Sequence, residues 1–274
     1  MTKLEVINLV KVYGSQTQKA LEMLQKGSNK EEILAQTGQT VAVNNVSFSV
    51  QTGEIFVIMG LSGCGKSTIL RCLNRLISPT SGNIILDGQD ITLLKPRELR
   101  QIRQTKMTMV FQQFALLPHR TVLQNVVYGL EVQRVAKAER EDRAKKTLAL
   151  VGLAGRENFY PDELSGGMKQ RVGLARALVN DPDVLLMDEA FSALDPLIRE
   201  EMQNELLLLQ KKMNKIIVFI THDLSEALKL GDRIAFVRDG SLVQVGTPEE
   251  ITGQPVDDYV AKFVNIIRQT KGVR

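Results

Sequence analysis

The sequence predicts an α/β fold with a mostly parallel sheet, a small antiparallel β subdomain and an inserted α-helical subdomain. Three observations carry that prediction. First, three short apolar runs, EIFVIM (54–59), DVLLM (183–187) and KIIVFIT (215–221), each end in polar residues. Near-continuous apolar runs of this length suit strands buried on both faces of a parallel sheet. Second, stretches of helical pattern separate them. Third, VAVNNVSFSV (41–50) and GNIILDG (82–88) alternate enough to suggest a smaller antiparallel sheet. In open α/β sheets ligands sit beyond the carboxyl ends of the strands, so the polar residues after the three runs are expected to gather at one edge.

Bulk composition sets the limits. At 274 residues the chain suits one large domain, or one domain with a subdomain. With 43% apolar and 24% charged residues, nothing suggests disorder, collagen or a disulfide scaffold. The net charge of +4 is spread along the chain and there is no Trp, so nucleic acid is not expected as a partner. A helix between Cys64 and Cys72 would separate them by ~12 Å, too far for a disulfide, which fits a reducing cytosol. No segment approaches the ~18 apolar residues of a membrane helix, and MTKLEVINL lacks the layout of a signal peptide. The chain is expected to be soluble, leaving any path through a bilayer to other polypeptides.

In chain order, a helical hairpin is predicted at 15–38. QKALEMLQK is stopped by Gly27, Ser28 and Glu31 form a capping-box pattern ahead of EEILAQ, and Gly38 offers a second stop. This hairpin is expected to be a surface decoration without chemistry. The run 54–59 then leads into Gly60-Leu-Ser-Gly-Cys-Gly65-Lys66-Ser67, which matches G-x-x-x-x-G-K-[ST] between a strand and a helix. Small residues let backbone N–H groups approach phosphates. Lys66 would reach the β- and γ-phosphates, Ser67 would bind Mg²⁺, and the helix N-terminus would add favourable partial charge. The candidate nucleotide-binding residues here are Gly60, Ser62, Gly63, Cys64, Gly65, Lys66, Ser67 and Thr68. Cys64 is expected to be a small residue tolerated in the loop; the sharper alternative is a thiol made reactive by the electropositive loop.

Residues 113–163, with a turn signal at Leu117-Pro118 and a charge-rich helical stretch from Ala136 to Leu150, form the predicted helical subdomain. A second anion cradle follows in ELSGGMKQR (163–171). If Ser165 caps a helix, then Met168, Val172, Ala175 and Val179 share one stripe. With Met168 rather than Glu at the third helical position, no carboxylate folds back over the first N–H groups. Gly166 and Gly167 would give a phosphate close access. Asp188 closes the second strand and is placed to hold Mg²⁺, while Glu189 is placed to orient or deprotonate an attacking water. His222 follows the third strand, where a γ-phosphate contact is expected, and Asp223 with Glu226 resembles a capping box. His119 is assigned no chemistry.

LSGGMKQR resembles the signature motif of ATP-binding-cassette (ABC) ATPases, and the resemblance covers essentially the whole chain. It implies the ABC ATPase fold, ATP and Mg²⁺ as ligands, and head-to-tail pairing of two copies, with each ATP between one copy's first loop and the other's signature. Lys66, Glu189 and His222 become the catalytic set. Gln112 in MVFQQFALLPH resembles the Q-loop glutamine that senses Mg²⁺ and couples to membrane subunits, with Gln113 as its rival. Ser192–Asp195 (SALD) resembles the D-loop, which brings Asp195 to the nucleotide, and Tyr13 resembles the aromatic that stacks on adenine. Three departures from the family pattern stand out. Met168 replaces the commoner Gln, Ala190 replaces a frequent Pro, and the hairpin separates Tyr13 from its usual neighbours.

The hairpin, IFVIMGLSG, LNRLISPTSG and MDEAFSALDPLIR together resemble the ATPases of glycine betaine, proline and choline uptake. That implies integral membrane permease subunits as partners, an extracytoplasmic solute-binding protein acting indirectly, and a peripheral position on the cytoplasmic face of the cell membrane. Residues 1–240 are expected to form the ATPase domain and 241–274 a C-terminal extension without the CBS domains that longer relatives carry after a segment like DDYVAKFV. The alternative is a non-transport ABC ATPase. Against it, repair ATPases usually insert long coiled coils and translation factors carry two cassettes, neither of which is present. P-loop kinases lack LSGGMKQR, and a regulator that does not hydrolyse would be indifferent to loss of Glu189.

Overall fold

The computed structural model describes residues 3–112 and 115–270, with side chains to 266. Gln113 lies outside the described residues. The chain divides into two compact units, Met1–Lys95 with Ile220–Arg274, and Pro96–Phe219. The fold is the expected combination of a mostly parallel sheet, a small antiparallel sheet and helices.

The first unit opens with β1 (Lys3–Tyr13), α1 (Thr17–Gln25), α2 (Lys30–Thr37) and β2 (Thr40–Gln51), continues through β3 (Ile55–Met59) and α3 (Lys66–Leu73), and reaches β4 (Ser81–Leu86) and β5 (Gln89–Asp90). The antiparallel sheet has the order β2-β1-β4-β5, with Leu4 opposite Val50 and Val12 opposite Val41. The α1–α2 hairpin seals onto it: Ala20 and Ile33 are buried against Val10, Val12 and Val41. Burying Ile33 contributes about 1.5–3 kcal/mol. Gly38 ends α2 in the left-handed region as predicted, at φ 68°. The capping box, however, is one residue later than predicted. Asn29, not Ser28, accepts from the Glu32 N–H at 2.8 Å, and the Glu32 carboxylate accepts from the Asn29 N–H at 3.1 Å.

The second unit contains α4 (Pro96–Thr105), β6 (Met107–Val110), α5 (Val122–Val126), α6 (Tyr128–Val132), α7 (Lys137–Leu150), α8 (Gly166–Leu178), β7 (Val184–Asp188) and α9 (Pro196–Met213). β6 and β7 pair in parallel. The helical insert holds its entry loop through buried Asn125, whose amide donates to the carbonyls of Leu117, Arg120 and Thr121.

β8 (Ile216–Thr221) carries the chain back to the first unit, which finishes with α10 (Leu224–Leu230), β9 (Arg233–Arg238), β10 (Ser241–Gly246), α11 (Pro248–Gly253) and α12 (Asp258–Thr270). β9 runs parallel to β3 and antiparallel to β10, so residues 241–246 extend the sheet. Phe263 and Tyr259 of α12 meet Phe236 of β9 edge to face, an arrangement aromatic quadrupoles favour. Among the described residues no helix is long and apolar enough to cross a membrane.

Candidate nucleotide site

The first unit presents a glycine loop between β3 and α3. All five residues of β3 are buried, which fixes where the strand ends and the loop begins. Gly65 stands at φ 103°, and a Cβ there would collide with the Ala42 carbonyl. Gly63, at φ 79°, faces open space. Gly65 is the N-cap of α3 and makes no side-chain cap hydrogen bond, so no capping side chain stands over the helix N-terminus. That is the cradle a phosphate requires. Lys66 is 5% exposed, and its ammonium donates to the carbonyls of Gly60 and Leu61, both at 2.9 Å. Ser67 and Thr68 follow, half-buried in the first turn, and Leu61 and Ser62 lie exposed on the loop. The loop is tied from outside by α12: the Leu61 N–H donates to the Tyr259 hydroxyl at 3.3 Å, and that hydroxyl donates to the Val237 carbonyl at 3.0 Å.

Cys64 and Cys72 are both free and buried. Burial pushes the Cys64 thiol up despite the neighbouring Lys66, because desolvation of the thiolate outweighs the loop's positive charge, which favours a tolerated small residue over a reactive thiol. Cys72, deeper in α3, is pushed up to about 12. His222 is exposed directly after β8, and Asp223 caps α10 by accepting from the N–H groups of Ser225 (2.8 Å) and Glu226 (3.4 Å). Tyr13 ends β1 with an exposed ring, and Lys11 Nζ lies 5.0 Å from its centroid. Lys30, the first residue of α2, is half-buried, and its ammonium lies 2.9 Å from where a Cβ on Gly240 would stand. Gly240 in turn donates to the Cys64 carbonyl at 2.9 Å.

In the second unit Asp188 is the last residue of β7 and 4% exposed. Glu189 follows at φ 45°, a left-handed conformation unusual for a non-glycine residue. Its carbonyl accepts from the Ser192 N–H (3.1 Å) and hydroxyl (2.9 Å). Gln112 Nε2 lies 3.4 Å from Glu189 Oε2 and 3.3 Å from Ser192 Oγ. Gln112 and Glu189 are therefore neighbours. Ser192, known from the sequence only as the first residue of SALD, supports both. Among the described residues no three His, Cys, Asp or Glu side chains gather to hold a metal by themselves. A hydroxyl, one carboxylate and phosphate oxygens are the donor set that suits Mg²⁺.

The second cradle has the predicted cap, since Ser165 accepts from the Met168 N–H at 3.3 Å. Glu163 folds back over Tyr160 instead, accepting from its N–H at 2.6 Å. The helix behind the cradle is more deeply buried than one stripe predicts. Val172, Ala175 and Val179 are buried, but so are Gln170, Gly173, Leu174, Ala177 and Leu178, and Met168 is only half-buried. The two glycines also differ. Gly166 is exposed, whereas a Cβ on buried Gly167 would lie 2.5 Å from Ile198 Cγ2 of α9. Asp195 caps α9, accepting from the Ile198 N–H at 3.2 Å.

A strand, a glycine loop and a helix opening on a buried lysine define a P-loop fold. The chain belongs to the ABC transporter family, whose model matches residues 43–192. It is 60% identical over 269 residues to the glycine betaine transport ATP-binding protein OpuAA of Bacillus subtilis, covering 98% of this chain and 64% of that protein. It is 58% identical to the glycine betaine/carnitine transport ATP-binding protein GbuA of Listeria monocytogenes, covering 99% of this chain and 68% of that one. The ATP-binding cassette MJ0796, solved as a dimer in a post-hydrolysis state bound to ADP and Pi, superposes with a TM-score of 0.75 at 32% identity, covering 89% of this chain and 98% of that one.

Proposed function

We propose that this chain binds and hydrolyses ATP to energise an importer of glycine betaine, proline, choline or a related quaternary amine. The observation that carries the reading is 60% identity to a glycine betaine transport ATP-binding protein across 98% of this chain. Two copies pair head to tail, so that each nucleotide meets the 60–68 loop of one copy and the Ser165–Met168 turn of the other; the dimeric cassette at 32% identity supports this. Lys66 and the first N–H groups of α3 hold the phosphates. Ser67, Asp188 and Gln112 hold Mg²⁺, which supplies charge neutralisation. Glu189 orients the water or takes its proton, and His222 contacts the γ-phosphate. Asp195 is brought to the nucleotide by the SALD turn as well as capping α9, and Tyr13 stacks on adenine.

The helical insert and Gln112 transmit closure to integral membrane permease subunits, and an extracytoplasmic solute-binding protein acts through them. The chain sits at the cytoplasmic face of the cell membrane. The test is to co-purify it with its membrane subunits and assay ATP hydrolysis while the binding protein presents different solutes. Stimulation by a quaternary amine is expected. Stimulation only by an unrelated solute, or no hydrolysis under any of them, overturns the reading.

A further inference from the structure

The hairpin between Tyr13 and β2 brings a cation to the nucleotide loop. Its second helix starts at Lys30, placed by the Asn29 cap, and the ammonium reaches the turn between β9 and β10. That turn packs directly on the loop. The Gly240 N–H donates to the Cys64 carbonyl at 2.9 Å, the Asn44 N–H donates to the Gly240 carbonyl at 2.8 Å, and Gly240 and Gly65 both close against the Ala42 carbonyl. Asp239 is the charged group that favours the Lys30 ammonium. Among the described residues its ammonium forms no hydrogen bond or ion pair. Burial lowers its pKa more than Asp239 restores it, so the charge is held at a desolvation cost that a nearby anion would relieve.

We propose that Lys30 is a nucleotide-binding residue, its ammonium taking an oxygen of the polyphosphate chain at the outer side of the 60–65 loop. This rests on the nucleotide-binding reading above and extends it. The hairpin adds a second lysine to the one the loop already holds, which gives the insert a chemical purpose beyond covering the β1–β2 sheet.

The experiment measures ATP, ADP and adenosine binding to the full chain by titration calorimetry for wild type, Lys30→Met, Lys30→Arg and Asp239→Asn, with thermal melts as the folding control. A charge-assisted hydrogen bond to phosphate predicts about a tenfold loss of ATP and ADP affinity in Lys30→Met, with adenosine unaffected. Lys30→Arg retains most of the affinity. Asp239→Asn, by removing a competing negative charge, leaves it equal or tighter. Unchanged ATP affinity in Lys30→Met overturns the proposal. So does an equal loss of ATP affinity and melting temperature in Lys30→Met and Asp239→Asn, because that is the behaviour of a structural ion pair. A wild type that binds no ATP would instead overturn the nucleotide reading itself.

Discussion

Replacing Gly167 by Ala separates packing from phosphate access in the second cradle. The new methyl would stand 2.5 Å from Ile198 Cγ2, whereas carbon atoms settle at about 3.5–4.0 Å. Something must therefore move by roughly 1 Å. Ile198 cannot simply rotate, because a β-branched side chain in a helix has one strongly preferred rotamer. It also sits in the first turn of α9, held by the Asp195 cap. Overpacking of this kind costs about 1–3 kcal/mol, and the change from Gly to Ala in a helix returns roughly 0.5–1 kcal/mol. The net expectation is a loss of about 1 kcal/mol. Ile198→Leu removes Cγ2 at constant volume, so the double variant should recover most of that loss. Gly166→Ala is the control: its nearest neighbour is Leu194 Cδ2 at 3.8 Å, an ordinary contact, so stability holds while nucleotide-dependent turnover falls. Urea denaturation of the three variants and the double, with steady-state ATP hydrolysis alongside, decides the matter. Gly167→Ala as stable as wild type, or no coupling between positions 167 and 198, would refute the packing argument.

Glu189→Gln is expected to abolish turnover and to accumulate an ATP-bound dimer on gel filtration; a fully active monomer would contradict the role given to the carboxylate. For Cys64, burial raises the thiol pKa, so less thiolate is present at neutral pH than in a free cysteine. Alkylation by iodoacetamide should be slower than for the free amino acid and should accelerate only as pH rises above the ordinary thiol range of ~8.5, with Cys72 slower still. Faster labelling of Cys64 than of free cysteine at pH 7 would restore the reactive-thiol reading. Tyr259→Phe removes the acceptor of the Leu61 N–H and the donor to Val237; a loss of about 1 kcal/mol in thermal stability is expected, together with weaker ATP binding. An unaltered melt would show that the tether from α12 to the loop contributes nothing. Asn29→Ala should cost about 1 kcal/mol through the lost cap of α2, read by chemical denaturation, and a neutral result would favour Ser28 as the true cap.

What the sequence disclosed depended on how local the cause was. The runs at 54–59, 183–187 and 215–221 were legible because β3, β7 and β8 are buried along their whole length. The glycine loop was legible because its conformation and its chemistry reside in the same few residues. β9 and β10 carried weaker signals: RIAFVR has an arginine at each end, and SLVQVG is half-exposed through most of its length, so neither shows an unbroken apolar run or a clean alternation. The cap of α2 was misplaced by one because the stretch satisfies the box twice, as Ser28 with Glu31 and as Asn29 with Glu32, and only backbone geometry chooses. The reach of Lys30 to Gly240, the tether from Tyr259 to Leu61 and the clearance that Gly167 gives Ile198 all join residues distant in sequence. No periodicity encodes them.

Glu189 shows the same divide at the residue proposed for the chemistry. The sequence places a carboxylate after a buried strand but says nothing of its backbone, which stands at φ 45°. A left-handed conformation costs a non-glycine residue roughly 1–2 kcal/mol, and it persists only where its surroundings over-determine it. Here they do. The Ser192 N–H and hydroxyl both donate to the Glu189 carbonyl, and the adjoining Ala190 and Phe191 are buried. The carboxylate is thereby aimed by a braced turn rather than by a side-chain rotamer alone. The Gln112 amide reaches both the Glu189 Oε2 and the bracing hydroxyl. Displacing Gln112 therefore removes a contact from the Glu189 side chain and from its support at once, so a movement of Gln112 reaches the carboxylate without touching β7.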